Sequence, residues 1–289
     1  MPTETVYGLA ADATNPFAVQ AIFSLKGRPG TNPLIAHVAS AEVARRYVSA
    51  WPEAAERLAR RFWPGPLTLV LPKTDAIVPG VTAGLPTVAI RVPAHEIALD
   101  LLMAFDGPLA APSANRSTHV SPTMAQHVRD EFGDAIELVL DGGACAVGIE
   151  STVLDLASPM PRILRPGGVT REMIEREIGP VEAGRVVTDT HTAATSPGQH
   201  AKHYSPRTPT FWFTPSQRAS LDLSDAAIVE LTLHAGTYAK NLYRRLRLLD
   251  TQQLRAIYVE LPPDRPEWAA VRDRVLRAAR PIDEQADRG

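Results

Sequence analysis

Strand-like and helix-like stretches alternate along most of this chain, and the alternation breaks once, from Pro180 to about Pro209. That interruption constrains the fold more than any other feature. Alternation of this kind needs a sheet with helices packed on it, and a long break separates two such units. Before the break, Asn15-Pro16 reads as a helix cap and a first-turn proline, with Phe17, Ala21, Ile22 and Leu25 on one face. Ser40 caps a helix containing Val43, Ala44 and Tyr47, and residues 52–62 form another. Further helices are expected from Pro93 to Leu102, from Ser121-Pro122 through Phe132, and from Thr170 to a stop at Gly179. Strands are expected at residues 34–38, 67–71, 88–92, 137–140, 152–156 and 162–164. After the break come a strand at 227–231, a helix at 237–249, a strand at 257–261 and a helix at 267–279. The expected division is an α/β domain at 1–179, a linker at 180–209 and a small α/β domain at 210–289. The second unit has neither a dinucleotide glycine fingerprint nor a P-loop.

Composition removes several function classes. Net charge is -2, so no global positive field marks a nucleic-acid partner, and any anion site must be local. Cys145 is the single cysteine, which excludes an intrachain disulfide and fits a reducing compartment. No apolar run reaches membrane-spanning length and the N-terminus has no signal pattern, so a cytoplasmic location away from membranes is expected.

Several short blocks mix turn residues with hydroxyl, cationic and amide side chains, which packing alone rarely asks for. Lys26 and Arg28 are two apart beside a glycine and a proline. In extended backbone they would face one spot and suit a polyphosphate; a solvated turn after a helix is the other reading. Arg91 interrupts the apolar run 88–92, on the face of Ala89 and opposite Ile90 and Val92. If that face is covered, the guanidinium needs an anion; if the strand is an edge, it sits in water. Ser113 and Asn115 would present a hydroxyl and an amide to a ribose, phosphate or carboxylate, or form a plain turn. Ser113 lacks the Gly-x-Ser-x-Gly elbow of a hydrolase nucleophile. Glu150 enters a strand and suits a metal-linked water, a cation or a strand-end salt bridge, and Arg165 ends a strand beside Gly167-Gly168. His200 and His203 offer too few ligands for zinc, and Cys145 reads as a small apolar filler.

The blocks Pro2-Thr3-Glu4-Thr5-Val6-Tyr7-Gly8-Leu9, Lys26-Gly27-Arg28-Pro29, Asn32-Pro33-Leu34-Ile35, Ser113-Ala114-Asn115 and Glu150-Ser151-Thr152, in that order, resemble the threonylcarbamoyl-AMP synthases. The stretch from Ser196-Pro197-Gly198 to His203-Tyr204-Ser205-Pro206 is similar to the linker of the two-domain members, and the last segment to their C-terminal domain. The resemblance implies a YrdC-type twisted open sheet with helices around a large polar cavity, plus a small C-terminal open, Rossmann-like α/β domain. It implies a nucleotidyltransferase that makes threonylcarbamoyl-adenylate and pyrophosphate from L-threonine, bicarbonate and ATP. A downstream tRNA threonylcarbamoyl transferase would use the product on the adenine 3′ of the anticodon, in tRNAs reading codons that begin with A.

By the same resemblance Thr5, His37, Arg91, Ala111 and Ser151 would hold threonine or its carbamate. Lys26, Arg28, Asn32, Thr87, Ser113, Asn115, Ser121, Arg165, Tyr204 and Ser205 would hold ATP, the last two from a lid at the pocket mouth. Lys26, Arg28 and Arg91 would carry catalysis by charge and position, with no covalent nucleophile. Mg2+ would ride mainly on the phosphates rather than on a dedicated protein site. Family members carry a helix and a strand before the Pro-Thr-Glu-Thr block; without them, frayed backbone and a poorly held Thr5 are expected. Two other readings compete. A non-catalytic double-stranded RNA or tRNA clamp sits poorly with net charge -2, whereas weak RNA binding beside catalysis stays among the expected partners. Carbamoyl-adenylate chemistry for hydrogenase maturation would need cysteine-rich zinc modules.

Overall fold

A computed structural model describes residues 1–183 and 204–283. The first unit is built from β1 (Ala11–Asp12), α1 (Pro16–Lys26), β2 (Ile35–His37), α2 (Ala41–Arg45), α3 (Glu53–Phe62), β3 (Leu67–Pro72), α4 (Pro79–Thr82), β4 (Thr87–Arg91), α5 (Glu96–Phe105), β5 (Leu109–Ala110), α6 (Ala125–Phe132), β6 (Thr152–Asp155), β7 (Arg162–Arg165), α7 (Arg171–Ile178) and β8 (Glu182–Ala183). The second holds β9 (Thr210–Phe213), β10 (Ala226–Val229), α8 (Ala235–Asp250), β11 (Ala256–Glu260), α9 (Ala269–Ala278) and β12 (Arg280–Pro281).

Among the described residues the first sheet runs β1-β5-β2-β4-β3-β6-β7-β8, with parallel and antiparallel pairs mixed. β4 is interior, between β2 and β3. Its Val88 and Ile90 join the main apolar core, while Ala89 packs in a small cluster with Ile35, Val70, Val153 and Leu164 on the opposite face. Burying five or more aliphatic side chains at about 1.5–3 kcal/mol each fixes the register of these strands. Asn15 caps α1 by accepting from the Phe17 and Ala18 amides, worth about 1 kcal/mol. The second sheet, β10-β11-β9-β12, is parallel throughout, as crossover helices α8 and α9 require.

The units share an apolar cluster. Val6, Val120 and Ile149 of the first pack with Tyr238, Ala239, Leu242, Tyr243 and Leu246 of α8. Gly148, at φ +81°, lets the α8 backbone come close; a Cβ there would lie 2.5 Å from the Lys240 Cα. Arg247 of α8 ties the seam by donating to the Val120 carbonyl at 2.5 Å and pairing with Glu131 at 3.1 Å.

Several expectations are corrected. Residues 137–140 form no strand: Ile136 and Val139, three apart, pack on an apolar cluster while Leu138 is exposed, so the period-two pattern is lost. The helix expected at Ser121-Pro122 begins at Ala125 because the Ser121 hydroxyl bonds Glu150 instead of capping. The helix expected at Pro93 begins at Glu96. Glu182–Ala183, inside the expected linker, pairs with β7, and β9, absent from the expected set, lies inside the second sheet. The linker residues Ser196 to His203 lie outside the described residues.

Candidate active site

The C-terminal ends of β2 and β4 meet at the register pair His37–Arg91, and the first block of the chain lies across them. Arg91 is 3% exposed. Its Nε donates to the Gly65 carbonyl at 3.1 Å and its Nη1 to the Thr5 hydroxyl at 3.0 Å. Its Nη2 lies 2.6 Å from Glu4 Oε1, an ion pair without hydrogen-bond alignment. A guanidinium has five N–H donors, so one N–H on each terminal nitrogen remains for a ligand. The covered-face reading of Arg91 therefore holds, and Glu4 supplies the anion that burial demands. Thr5, expected to be poorly held, is 1% exposed and anchored by Arg91 and Thr3. The backbone around it is paired as well: Tyr7 N donates to Pro122 O and Gly8 N to Met1 O.

Thr5, His37, Arg91, Ala111 and Ser151 line one pocket together with Arg28, Ser113, Arg165, Glu150 and Tyr204. The pocket has a volume of about 40 Å³, with Tyr204 forming one side. Burial, and secondarily Arg91, push the His37 imidazole down to about 3, so it is neutral at ordinary pH. Ser151 shares a hydrogen bond with Thr68 at 2.7 Å and accepts from Arg165 Nη2 at 3.2 Å, while Arg165 Nε bonds the Ser151 carbonyl at 3.0 Å. Burial, with Arg165 nearby, lowers the Arg28 guanidinium to about 9. Among the described residues, three buried guanidiniums, Arg28, Arg91 and Arg165, stand at this pocket with two carboxylates, Glu4 and Glu150, a net positive wall.

Other expected residues stand behind this wall or away from it. Lys26 ends α1, Gly27 turns left-handed at φ +60°, and Arg28 follows, so the extended backbone assumed for the pair is absent. Lys26 Nζ instead donates to the carbonyls of Ser113 (2.6 Å) and Asn115. Burial, then Arg28, hold its ammonium well below the usual lysine range. Arg28 keeps its place in the pocket by donating to the Asn32 and Pro33 carbonyls at 2.9 and 2.7 Å. Asn32 and Asn115 are buried, each with an amide oxygen lacking a hydrogen-bond partner among the described residues. Thr87 begins β4 at the end remote from Arg91, roughly 13 Å away at strand rise, and does not line the pocket around Arg91. Ser205 bonds Thr118 and lines a separate crevice between α6 and α8. Cys145 is buried and its thiol is pushed up to about 12 by burial, as a filler should be. The sequence reading missed Glu4, Thr68 and the second unit's Tyr243 and Arg274, which bond Glu150. Glu4 carried a signal, being the one acid in the first block.

Known proteins share this architecture. The sequence pattern of the Sua5–YciO–YrdC family, described as "Telomere recombination", matches residues 1–167, and that of "Threonylcarbamoyl-AMP synthase, C-terminal domain" matches residues 169–280. A Pyrococcus abyssi protein named threonylcarbamoyl-AMP synthase is 51% identical over 206 residues, 71% of this chain and 61% of that protein. A Bacillus subtilis protein of the same name is 40% identical, covering 96% of this chain and 88% of its own length. The crystal structure of P. abyssi Sua5 complexed with L-threonine superposes with a TM-score of 0.90 at 38% identity, over 96% of this chain and 91% of that one. The mixed sheet with its surrounding helices and the small parallel-sheet domain match that structure. The chain belongs to the Sua5–YciO–YrdC family, and its second unit to the threonylcarbamoyl-AMP synthase C-terminal domain family.

Proposed function

We propose that the protein synthesises L-threonylcarbamoyl-adenylate from L-threonine, bicarbonate and ATP, releasing pyrophosphate. The observation that carries this reading is the juxtaposition, in one pocket, of an arginine with two N–H donors to spare and two further buried guanidiniums, Arg28 and Arg165. The first suits a carboxylate as a bidentate partner; the others suit phosphate oxygens. Relatives that cover most of the chain bear the synthase name, and one related structure holds L-threonine.

The chemistry asks little covalent work of the protein. Threonine's amine adds to carbon dioxide from bicarbonate, losing a proton and giving a carbamate. A carbamate oxygen attacks the α-phosphorus of ATP, the bond to the β-bridging oxygen breaks, and pyrophosphate leaves. Arg91 and Thr5 hold the amino acid's carboxylate end, with Ser151 and the Ala111 backbone beside it. Neutral His37 neither competes for the carboxylate nor protonates the carbamate, which decomposes when protonated. Arg28, Ser113 and Arg165 meet the nucleotide, while Lys26 braces the loop of Ser113 and Asn115 from behind. Charge stabilisation of the transferring phosphoryl group then supplies most of the rate. Magnesium would enter on ATP, held mainly by its phosphates: Glu150 is occupied by three donors, and Glu4 pairs with Arg91 through Oε1 while its Oε2 has no hydrogen-bond partner among the described residues. Tyr204 lines this pocket and would border the bound nucleotide. The product serves a transferase that modifies tRNA. Pyrophosphate release that needs threonine and bicarbonate together tests the reading; equal release without threonine would overturn it.

A further inference from the structure

Resting on that reading, we infer that Arg274 of the second domain is a positioning residue of the nucleotide pocket. It is fully buried, at 0% exposure, in α9, far along the chain from any block that carries the catalytic chemistry. Its Nε donates to Glu150 Oε2 at 2.8 Å. Its Nη2 reaches the Glu150 carbonyl at 3.4 Å and the Pro166 carbonyl at 3.1 Å, and its Nη1 bonds Asp273 at 2.6 Å. One guanidinium thus staples two loops of the other domain. The residue after Glu150 is Ser151, and the residue before Pro166 is Arg165; both line the pocket and bond each other. Glu150 itself lines the pocket, and its second oxygen fixes Ser121 at 2.6 Å. Tyr243 of α8 adds a third donor to Glu150 at 2.9 Å. The Tyr204 ring rests 5.2 Å from the Arg274 guanidinium and stacks on Tyr243 at 5.6 Å.

A buried ion pair is a poor device for stability alone, because apolar residues of similar volume do as well or better. A planar fork that reaches one carboxylate and two carbonyls is a good device for holding loops in register. Nearly every partner of this fork is in the pocket wall or one residue from it. The second domain is therefore part of the nucleotide site: it fixes the orientation of Glu150 and Arg165 without touching substrate. Such a role acts on ATP more than on threonine, whose carboxylate fork is anchored separately through Gly65, Thr5 and Glu4.

The test uses the full chain. Arg274→Lys keeps the charge and loses the fork; Tyr243→Phe keeps the ring stack and loses one hydrogen bond. Calorimetric titration with Mg–ATP and, separately, with L-threonine reads binding without turnover, and a thermal melt reads folding. The expected result is about a tenfold weaker ATP Kd for Arg274→Lys and about threefold for Tyr243→Phe, with threonine Kd changed less than threefold in both. Unchanged ATP Kd in the folded variants, whatever happens to Tm, would overturn the inference. If Arg274→Lys does not fold, Tyr243→Phe alone decides by the same criterion. Absence of ATP binding by the unaltered protein would instead overturn the functional reading, and this inference with it.

Discussion

Arg91→Lys gives a quantitative test of the amino-acid subsite. Arg91 spends N–H donors on the Gly65 carbonyl and the Thr5 hydroxyl, faces Glu4 at 2.6 Å, and keeps one N–H on each terminal nitrogen. Lysine retains the charge but brings three donors on a single atom and cannot span these partners and a carboxylate together. Losing one of two charge-assisted bonds to the carboxylate costs roughly 1.5–3 kcal/mol, or roughly 10- to 150-fold in threonine Kd. The nucleotide cations Arg28 and Arg165 hold their positions through other carbonyls and do not depend on Arg91, so ATP Kd should change less than twofold. Calorimetry with each ligand measures both numbers. A loss of ATP affinity equal to or greater than the loss for threonine would refute the assignment and make Arg91 a nucleotide ligand.

Other outcomes follow from the same contacts. Lys26→Ala leaves the Ser113 and Asn115 carbonyls without their ammonium and should lower stability by roughly 1.5–3 kcal/mol in a denaturant titration. Arg28→Ala should weaken ATP binding by roughly tenfold or more in the same calorimetric assay. The His37 imidazole is depressed to about 3 in the folded protein, below its ordinary value, so the unfolded chain binds the extra proton. Its contribution to stability is full above about pH 6.5 and is lost as pH falls toward 3, by up to ~1.4 kcal/mol per pH unit. His37→Asn should flatten that part of the stability profile. Gly148→Ala combines a positive φ with a Cβ placed 2.5 Å from the Lys240 Cα and 2.8 Å from the Ala239 carbonyl. It should push α8 away and lower stability by roughly 1–3 kcal/mol in a thermal melt.

Much of this architecture was legible because local rules agree with tertiary needs. Asn15-Pro16, Ser40 and Thr170 cap the helices that they announce, and the run 88–92 sends Arg91 to the face opposite Ile90. Legibility failed where a polar side chain serves a distant partner. Ser121 looks like a cap, but its hydroxyl is taken by Glu150, so the helix starts late. Lys26 and Arg28 look like a strand-spaced pair, but a left-handed glycine between them sends one to brace a loop and leaves the other in the pocket. β9 is four residues directly after the linker, and the β-branched and aromatic strand signal of its Thr-Phe-Trp-Phe run is masked by that irregular stretch, although β6, β7 and β10 are no longer. Glu4 and Arg274 each pair with residues far along the chain, at Arg91 and Glu150, and no local pattern encodes such a pairing.

In the proposed reaction one pocket joins threonine, a carbon from bicarbonate, and the adenylate of ATP. The most direct measurement supplies the full chain with labelled bicarbonate, L-threonine and Mg–ATP, and separates the nucleotides by chromatography. The expected result is one new adenylate carrying the bicarbonate label, formed with pyrophosphate in equal amounts, absent when threonine is omitted and strongly reduced in Arg91→Lys. Pyrophosphate or AMP formed without label incorporation, or a labelled adenylate formed equally well without threonine, would contradict it.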